Sequence, residues 1–267
     1  MGIRRKTAVE SFFIFLRTGS ITDMRIKEKN ENPEKGFSLI ESLLSLSLFL
    51  VIVLSSLEVF GWTRTIFFKV KNKEEAKEAA QAALDKMRTD ILAGGSGLIH
   101  PIHLGILEGI SESEGTLTIL SKEEVLTSAG DLVTGQTRIE LDSTSILKKG
   151  RDICIFDSLK GEIKSISSVE KGSIILSSTL ESSYSRDRTS LFLLQKVSLF
   201  LDEKTDVLRR KVNSSPAQPL AEDTAFFSFD YNRASSLVRL RLSLEPNKEK
   251  YYETAVFAKN VALATAR

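Results

Sequence analysis

The chain is poor in the residues on which most site chemistry depends. One cysteine, Cys154, among 267 residues excludes an internal disulfide framework and a cysteine-rich metal site. The only histidines are His100 and His103, and no third ligand lies close in sequence. A loop just after a helix stop is therefore a better reading of them than a metal pair. Lys and Arg (37) nearly balance Asp and Glu (35), for a net charge of +2, so no general attraction to polyanions is implied. There is no phosphate-cradling G-x-x-x-x-G-K-[ST] loop. The serine-rich segments 165–168 and 182–185 lack a G-x-S-x-G context and any nearby histidine. Neither an enzyme nor a cofactor is expected. Five prolines occur, none between Pro33 and Pro101, so that stretch holds no strong helix breaker.

What is present is one long apolar run. Lys35-Gly36-Phe37-Ser38-Leu39-Ile40-Glu41 leads into a segment reaching Trp62. About 26 residues from Phe37 to Trp62 suffice to cross ~30 Å of hydrocarbon as a helix with some tilt. Only Glu41 and Glu58 are charged there, and the six serines (Ser38, Ser42, Ser45, Ser47, Ser55 and Ser56) can bond back to helix carbonyls. A carboxylate inside a bilayer costs roughly 2.5–3.5 kcal/mol on the lenient insertion scale, which marks Glu41 as a functional candidate. The plainer alternative places Glu41 near the headgroups, reaching to water.

This arrangement resembles the type IV prepilin signal. The resemblance implies a prepilin peptidase that cuts between Gly36 and Phe37 and N-methylates Phe37, the apolar segment staying on the mature chain. Glu41 then stands at the mature fifth position, where in an assembled filament it would neutralise the amino terminus of a neighbour. The resemblance divides the chain into a cytoplasmic leader (1–36, cleaved), a spine helix (37–93, of which 37–62 is transmembrane and 63–93 amphipathic) and a β-rich globular head (94–267).

The leader carries eight Lys or Arg and five Asp or Glu. Its only apolar patch, Phe12 to Leu16, is shorter than the h-region of a secretory signal. Met24 would give a leader of 13 residues, and translation is expected to begin there; a long leader from Met1 is the alternative. Arg64, Lys69, Lys71 and Lys73 follow the span and weaken the positive-inside asymmetry, so the leader-in orientation rests on the resemblance.

Beyond Trp62 a helical period persists. Val70, Ala76, Ala80, Ala83, Leu84, Met87 and Ile91 fall near one stripe, with Lys73, Glu74, Lys77, Glu78, Gln81, Asp85 and Arg88 facing away. Gly94-Gly95 supplies the stop. One helix from Phe37 to about Ala93 is expected, against an anchor and a separate surface helix hinged at Gly61.

From Ser96 onward short β-branched and aromatic runs alternate with turn residues. Strands are expected over 116–120, 137–141, 152–156, 162–169, 173–176, 191–201, 207–212, 225–231, 237–244 and 251–258. Val238, Leu240, Leu242 and Leu244 share one face, Arg239, Arg241 and Ser243 the other, and Phe227, Phe229 and Tyr231 form a second inward set. The fold class is thus α+β, a long N-terminal helix on an antiparallel β head with one face covered by the helix. The order of the tail from Leu191, through Val207-Leu208-Arg209-Arg210, Gln218-Pro219-Leu220-Ala221 and Phe227-Ser228-Phe229-Asp230-Tyr231 to Val256-Phe257-Ala258-Lys259-Asn260, is similar to the heads of PilW-type minor pilins and J-type minor pseudopilins. Residues 100–190 match neither.

Asp202, Glu203 and Asp206 read as a solvated hairpin turn rather than a calcium loop. Arg186, Arg188, Arg209, Arg210, Lys211, Arg233, Arg239 and Arg241, with tyrosines between them, could touch DNA, but interspersed acids favour a mixed solvated face. The expected function is a minor pilin in the tip or priming complex of a type IV pilus; a minor pseudopilin of type II secretion and a non-polymerising membrane-anchored binding protein are the alternatives. The expected partners are the prepilin peptidase, other minor pilins or pseudopilins, the major subunit and the inner-membrane assembly platform, with no small-molecule substrate. The location would be the inner membrane with the head in the periplasm, then the filament.

Overall fold

A computed structural model of the chain describes residues 38–244 and 250–265; the expected leader 1–36 and the Gly36–Phe37 junction lie outside them. The fold is α+β. A helix α1 (Leu39–Ala93) precedes an antiparallel β domain of twelve strands, with the short helices α2 (Ile99–His103) and α3 (Lys259–Thr265). The chain divides into two units at Phe60 and Gly61.

In the first unit α1 starts where a capping residue meets the apolar run. Ser38 precedes the first helical residue, and its N–H donates to Oε2 of Glu41 at 3.1 Å. That is one arm of a capping box, in which an acid three residues on satisfies an orphan N–H of the first turn. The serines reach back along the helix: Ser47 Oγ donates to the Leu44 carbonyl and Ser56 Oγ to that of Ile52, each at 2.8 Å. Such bonds let hydroxyls sit on an apolar helix without exposing unpaired donors.

In the second unit the later part of α1 is buried along Ala80, Ala83, Leu84, Met87 and Ile91. These join Ile110, Leu117, Ile119, Val197, Leu199, Leu208, Val238, Leu240 and Leu242 in one core. Fully burying Leu84, Met87 and Ile91 contributes roughly 1.5–3 kcal/mol apiece. The stripe starts at Ala76; Val70, expected to lie on it, is exposed. Helix α1 ends at the glycine pair. Gly95 has φ +73° and donates its N–H to Leu120 O at 2.8 Å, while a Cβ there would meet Val261 Cγ2 at 3.0 Å. Only glycine combines that backbone with that contact.

The strands are β1 (Ile110–Ser113), β2 (Thr116–Leu126), β3 (Arg138–Glu140), β4 (Asp152–Phe156), β5 (Gly161–Glu170), β6 (Ser173–Leu176), β7 (Ser190–Asp202), β8 (Val207–Val212), β9 (Gln218–Ala221), β10 (Thr224–Asn232), β11 (Leu237–Leu244) and β12 (Tyr252–Phe257). β1 and β9 escape the sequence reading. β1 is four residues with one apolar side chain, Ile110, and Pro219 in β9 argues against a strand except at an edge; β9 pairs only with β8.

The long strand β7 organises the larger sheet. One of its edges pairs with β2 over Leu191–Leu199, the other first with β4 over Ser190–Leu193 and then with β8 over Val197–Asp202. The path β2-β7-β4-β5-β6-β3 then returns on itself. Beyond β2, Ala129 N–H donates to Glu140 O and Asp142 N–H to Thr127 O, around the bridge Ser128–Leu141. Six strands so ring a second core containing Leu126, Ile139, Ile153, Ile155, Ile166, Ile174, Leu191 and Leu193, and closure removes the exposed edges. The strands are therefore not a simple meander. The 100–190 region builds this small barrel, sharing β2 and β7 with the sheet that packs on α1.

β10, β11 and β12 form a separate antiparallel sheet. Val238, Leu240, Leu242 and Leu244 point inward, with Arg239 and Arg241 exposed. Ser243, expected outside, is buried opposite the irregularity between Thr224 and Phe226. Such a bulge shifts the alternation locally. Phe227, Phe229 and Tyr231 are half-buried against the core.

Candidate functional site

The first candidate is the start of α1 and the apolar surface after it. Over Leu39–Ala93 the most apolar 18-residue window has a mean hydropathy of 2.4 and none of it is buried. Leu39, Phe49, Phe60 and Trp62 are 78%, 63%, 67% and 69% exposed. A run of that length is long and apolar enough to cross a bilayer. Glu41 is exposed, and its carboxylate is engaged by the Ser38 N–H one residue after Phe37. Gly36 and Phe37 themselves lie outside the described residues. A carboxylate in a helix's first turn also faces the positive end of the helix dipole, which the sequence pattern Ser38-x-x-Glu41 foreshadows.

The second is a buried ion pair between α1 and the β domain. Asp90 Oδ2 and Oδ1 accept from Arg210 Nε at 2.6 Å and Nη2 at 2.8 Å, with the two side chains 7% and 14% exposed. The fork geometry is the strong form of this contact, and Asp90 holds the guanidinium pKa above its ordinary value. Asp90 follows the same stripe as Met87 and Ile91, so only its partner in β8 distinguishes it from an outward acid. Arg210 is no surface cation: of the eight basic residues considered for DNA, Arg209, Arg210, Arg233 and Arg241 pair with Asp202, Asp90, Glu108 and Glu253.

A third cluster lies on the barrel. Lys164 Nζ sits 2.9 Å from Glu162 Oε2 and 2.8 Å from Glu181 Oε1, and Glu162 accepts the N–H groups of Glu181 and Ser182. Burial pushes the Glu162 carboxyl up, but these N–H groups, Lys164 and Tyr184 outweigh it and hold it below the ordinary range. Tyr184 is pushed up by burial and then by Glu162. Every charged member has a partner, as a structural network requires.

The remaining residues singled out in the sequence are dispersed. His100 lies on α2, its ring 5.6 Å from that of Phe156 and its Nε2 3.3 Å from Asp157 O; His103 is exposed. Where a loop was expected, the two thus stand on a short helix. Asp202 is drawn to Arg209 at the turn between β7 and β8. Cys154 is buried in β4, and burial pushes its thiol up to about 12, which makes it a poor nucleophile at neutral pH. Among the described residues no group of three or more His, Cys, Asp or Glu is placed to hold a metal ion. A cleft of about 630 Å³ beside α1 is lined by Glu75, Ala76, Ala79, Leu220, Glu222 and Asp223.

No family model matches the chain, and no curated protein matches it. Fragments of three solved phage tailspikes align with part of it. They are the Gp54 tailspike of Acinetobacter baumannii bacteriophage AP22, in complex with A. baumannii capsular saccharide (16% identity, 29% of this chain and 15% of that one, TM-score 0.26), the Pseudomonas phage phi297 tailspike gp61 (13%, 28% and 14%, 0.25) and the Pseudomonas phage LKA1 tailspike gp49 (18%, 28% and 14%, 0.23). This chain spans about 15% of the length of those tailspikes, and a likeness so partial decides neither fold nor function.

Proposed function

We propose that the chain is a minor pilin, a low-abundance structural subunit that joins others at the tip of a type IV filament and primes its assembly. One observation carries the reading: a helix that starts at the Gly36-Phe37-Ser38-x-x-Glu41 signal carries an unburied apolar stretch first and a stripe docked in a β-domain core later. On this reading the fold is pilin-like, a spine helix on a β head. The precursor inserts in the inner membrane, the prepilin peptidase cuts at Gly36 and methylates Phe37, and the apolar half enters a bundle of like helices. Methylation keeps the amine positive, and in a low-dielectric bundle its attraction to Glu41 of the next subunit is strong. Glu41 exchanges its Ser38 N–H partner for that amine.

A minor pseudopilin of a type II secretion system is the second reading, supported by the same helix and by a tail similar to J-type as well as PilW-type heads, whose shape leans to the pilus. Mass spectrometry of the protein crosslinked in its native membranes tests both. A terminus at methylated Phe37 with pilins attached supports the pilus, and the same terminus with pseudopilins supports secretion. An uncut leader with no pilin-like partner refutes the filament reading, leaving a non-polymerising anchored binding protein, in which Glu41→Gln changes nothing.

A further inference from the structure

Four cations follow the apolar run within ten residues, Arg64, Lys69, Lys71 and Lys73, with no acid between Glu58 and Glu74. All four are exposed, as are Trp62, Phe67 and Val70 around them. Only Lys71 has an acidic partner among the described residues, Glu75 at 3.6 Å; Glu74 is drawn to Lys77 at 3.2 Å. Arg64 lies over the Phe68 ring, 5.6 Å from its centroid.

The angular placement of these charges matters. At 3.6 residues per turn, Arg64 and Lys71 fall within about 20° of each other, while Lys69 and Lys73 lie within about 40° of each other on the opposite side. A stripe would suit a flat partner or a helix lying in the plane of a membrane. Charges on both sides of the helix suit a surface that surrounds it. Arg64 to Lys73 covers about 13 Å of axis at 1.5 Å per residue. This matches a headgroup layer of roughly 5–8 Å plus part of a Debye length of ~8 Å. Trp62 sits where aromatic residues gather at a membrane interface.

We propose that residues 62–73 form a collar that binds the headgroups of anionic phospholipids on the membrane face reached at the end of the apolar run. The proposal rests on the membrane-spanning reading above. It gives a physical role to cations that run against the positive-inside pattern: they hold the subunit at its membrane face by charge, a contact that salt screens.

Trp62 is the sole tryptophan and stands at the edge of the collar, so its fluorescence reports the lipids nearby. The full chain is reconstituted in vesicles of equal phosphatidylglycerol and phosphatidylcholine, with the bromine quencher carried on one or the other lipid. Attraction of about 1 kcal/mol per cation corresponds to roughly fivefold enrichment of the anionic lipid at each cation. Brominated phosphatidylglycerol therefore quenches Trp62 more strongly than brominated phosphatidylcholine. The difference disappears in about 0.5 M salt and in the variant Arg64→Gln/Lys69→Gln/Lys71→Gln/Lys73→Gln, which still quenches with either lipid. Equal quenching by both lipids in the native chain overturns the collar while leaving the span intact. Quenching by neither overturns the membrane reading itself.

Discussion

Replacing Asp90 with Asn should be among the most damaging single changes in the β domain. The substitution keeps the volume and removes the charge, leaving Arg210, 14% exposed, without its counter-ion. Two opposite charges about 4 Å apart attract by about 4 kcal/mol at an effective dielectric of 20, and removing one member of a buried pair typically costs about 3–5 kcal/mol. In a unit of this size 1 kcal/mol moves Tm by about 2–4 °C, so the variant should melt at least about 6 °C lower. The assay is urea and thermal unfolding of Asp90→Asn, Arg210→Met and the pair. The double variant should recover much of the loss, because two well-packed neutral groups avoid burying a lone charge. Asp85→Asn, on the exposed side of the same helix, should change stability by less than about 0.5 kcal/mol. If Asp90→Asn is as mild as Asp85→Asn, or if the cycle shows no coupling, the pair does not fasten α1 to β8.

Three further outcomes follow from the same structure. The Cys154 thiol, buried and pushed up to about 12, should resist maleimide at pH 7.5 in the folded chain and react stoichiometrically in denaturant; rapid native labelling would refute its burial in β4. Glu162 titrates below the ordinary carboxylate range, so its contribution is present above that range and lost as pH falls through its lower folded value. Melting temperatures from pH 7 to 3 should decline at the acid end, less steeply in Glu162→Gln. Ile153→Ala, at a fully buried site of the barrel core, should cost about 2–5 kcal/mol, and Leu159→Ala, 85% exposed, close to nothing; similar unfolding midpoints would contradict the ring of six strands.

The sequence by itself determined the elements whose signals are local. The apolar run, its serines and the absence of proline from 34 to 100 specify a helix whatever surrounds it. Strands β4, β6, β8 and β11 stand where their β-branched and alternating residues place them, because a strand between turn signals is recognised from its own residues. The α+β class follows from those two facts. Tertiary structure decided whatever depends on residues far apart in the chain. The barrel closes through Ser128 and Leu141, a pairing without local signature. Asp90 is buried because Arg210, 120 residues away, is there to meet it. Pro219 enters a strand because β9 is an edge, and Ser243 turns inward because its partner strand bulges. A local pattern sets which face of an element is apolar, while which charge is buried and which sheet closes are fixed only when distant strands meet, since an unpaired buried charge costs too much to persist and a ring of strands closes only where both of its ends come together.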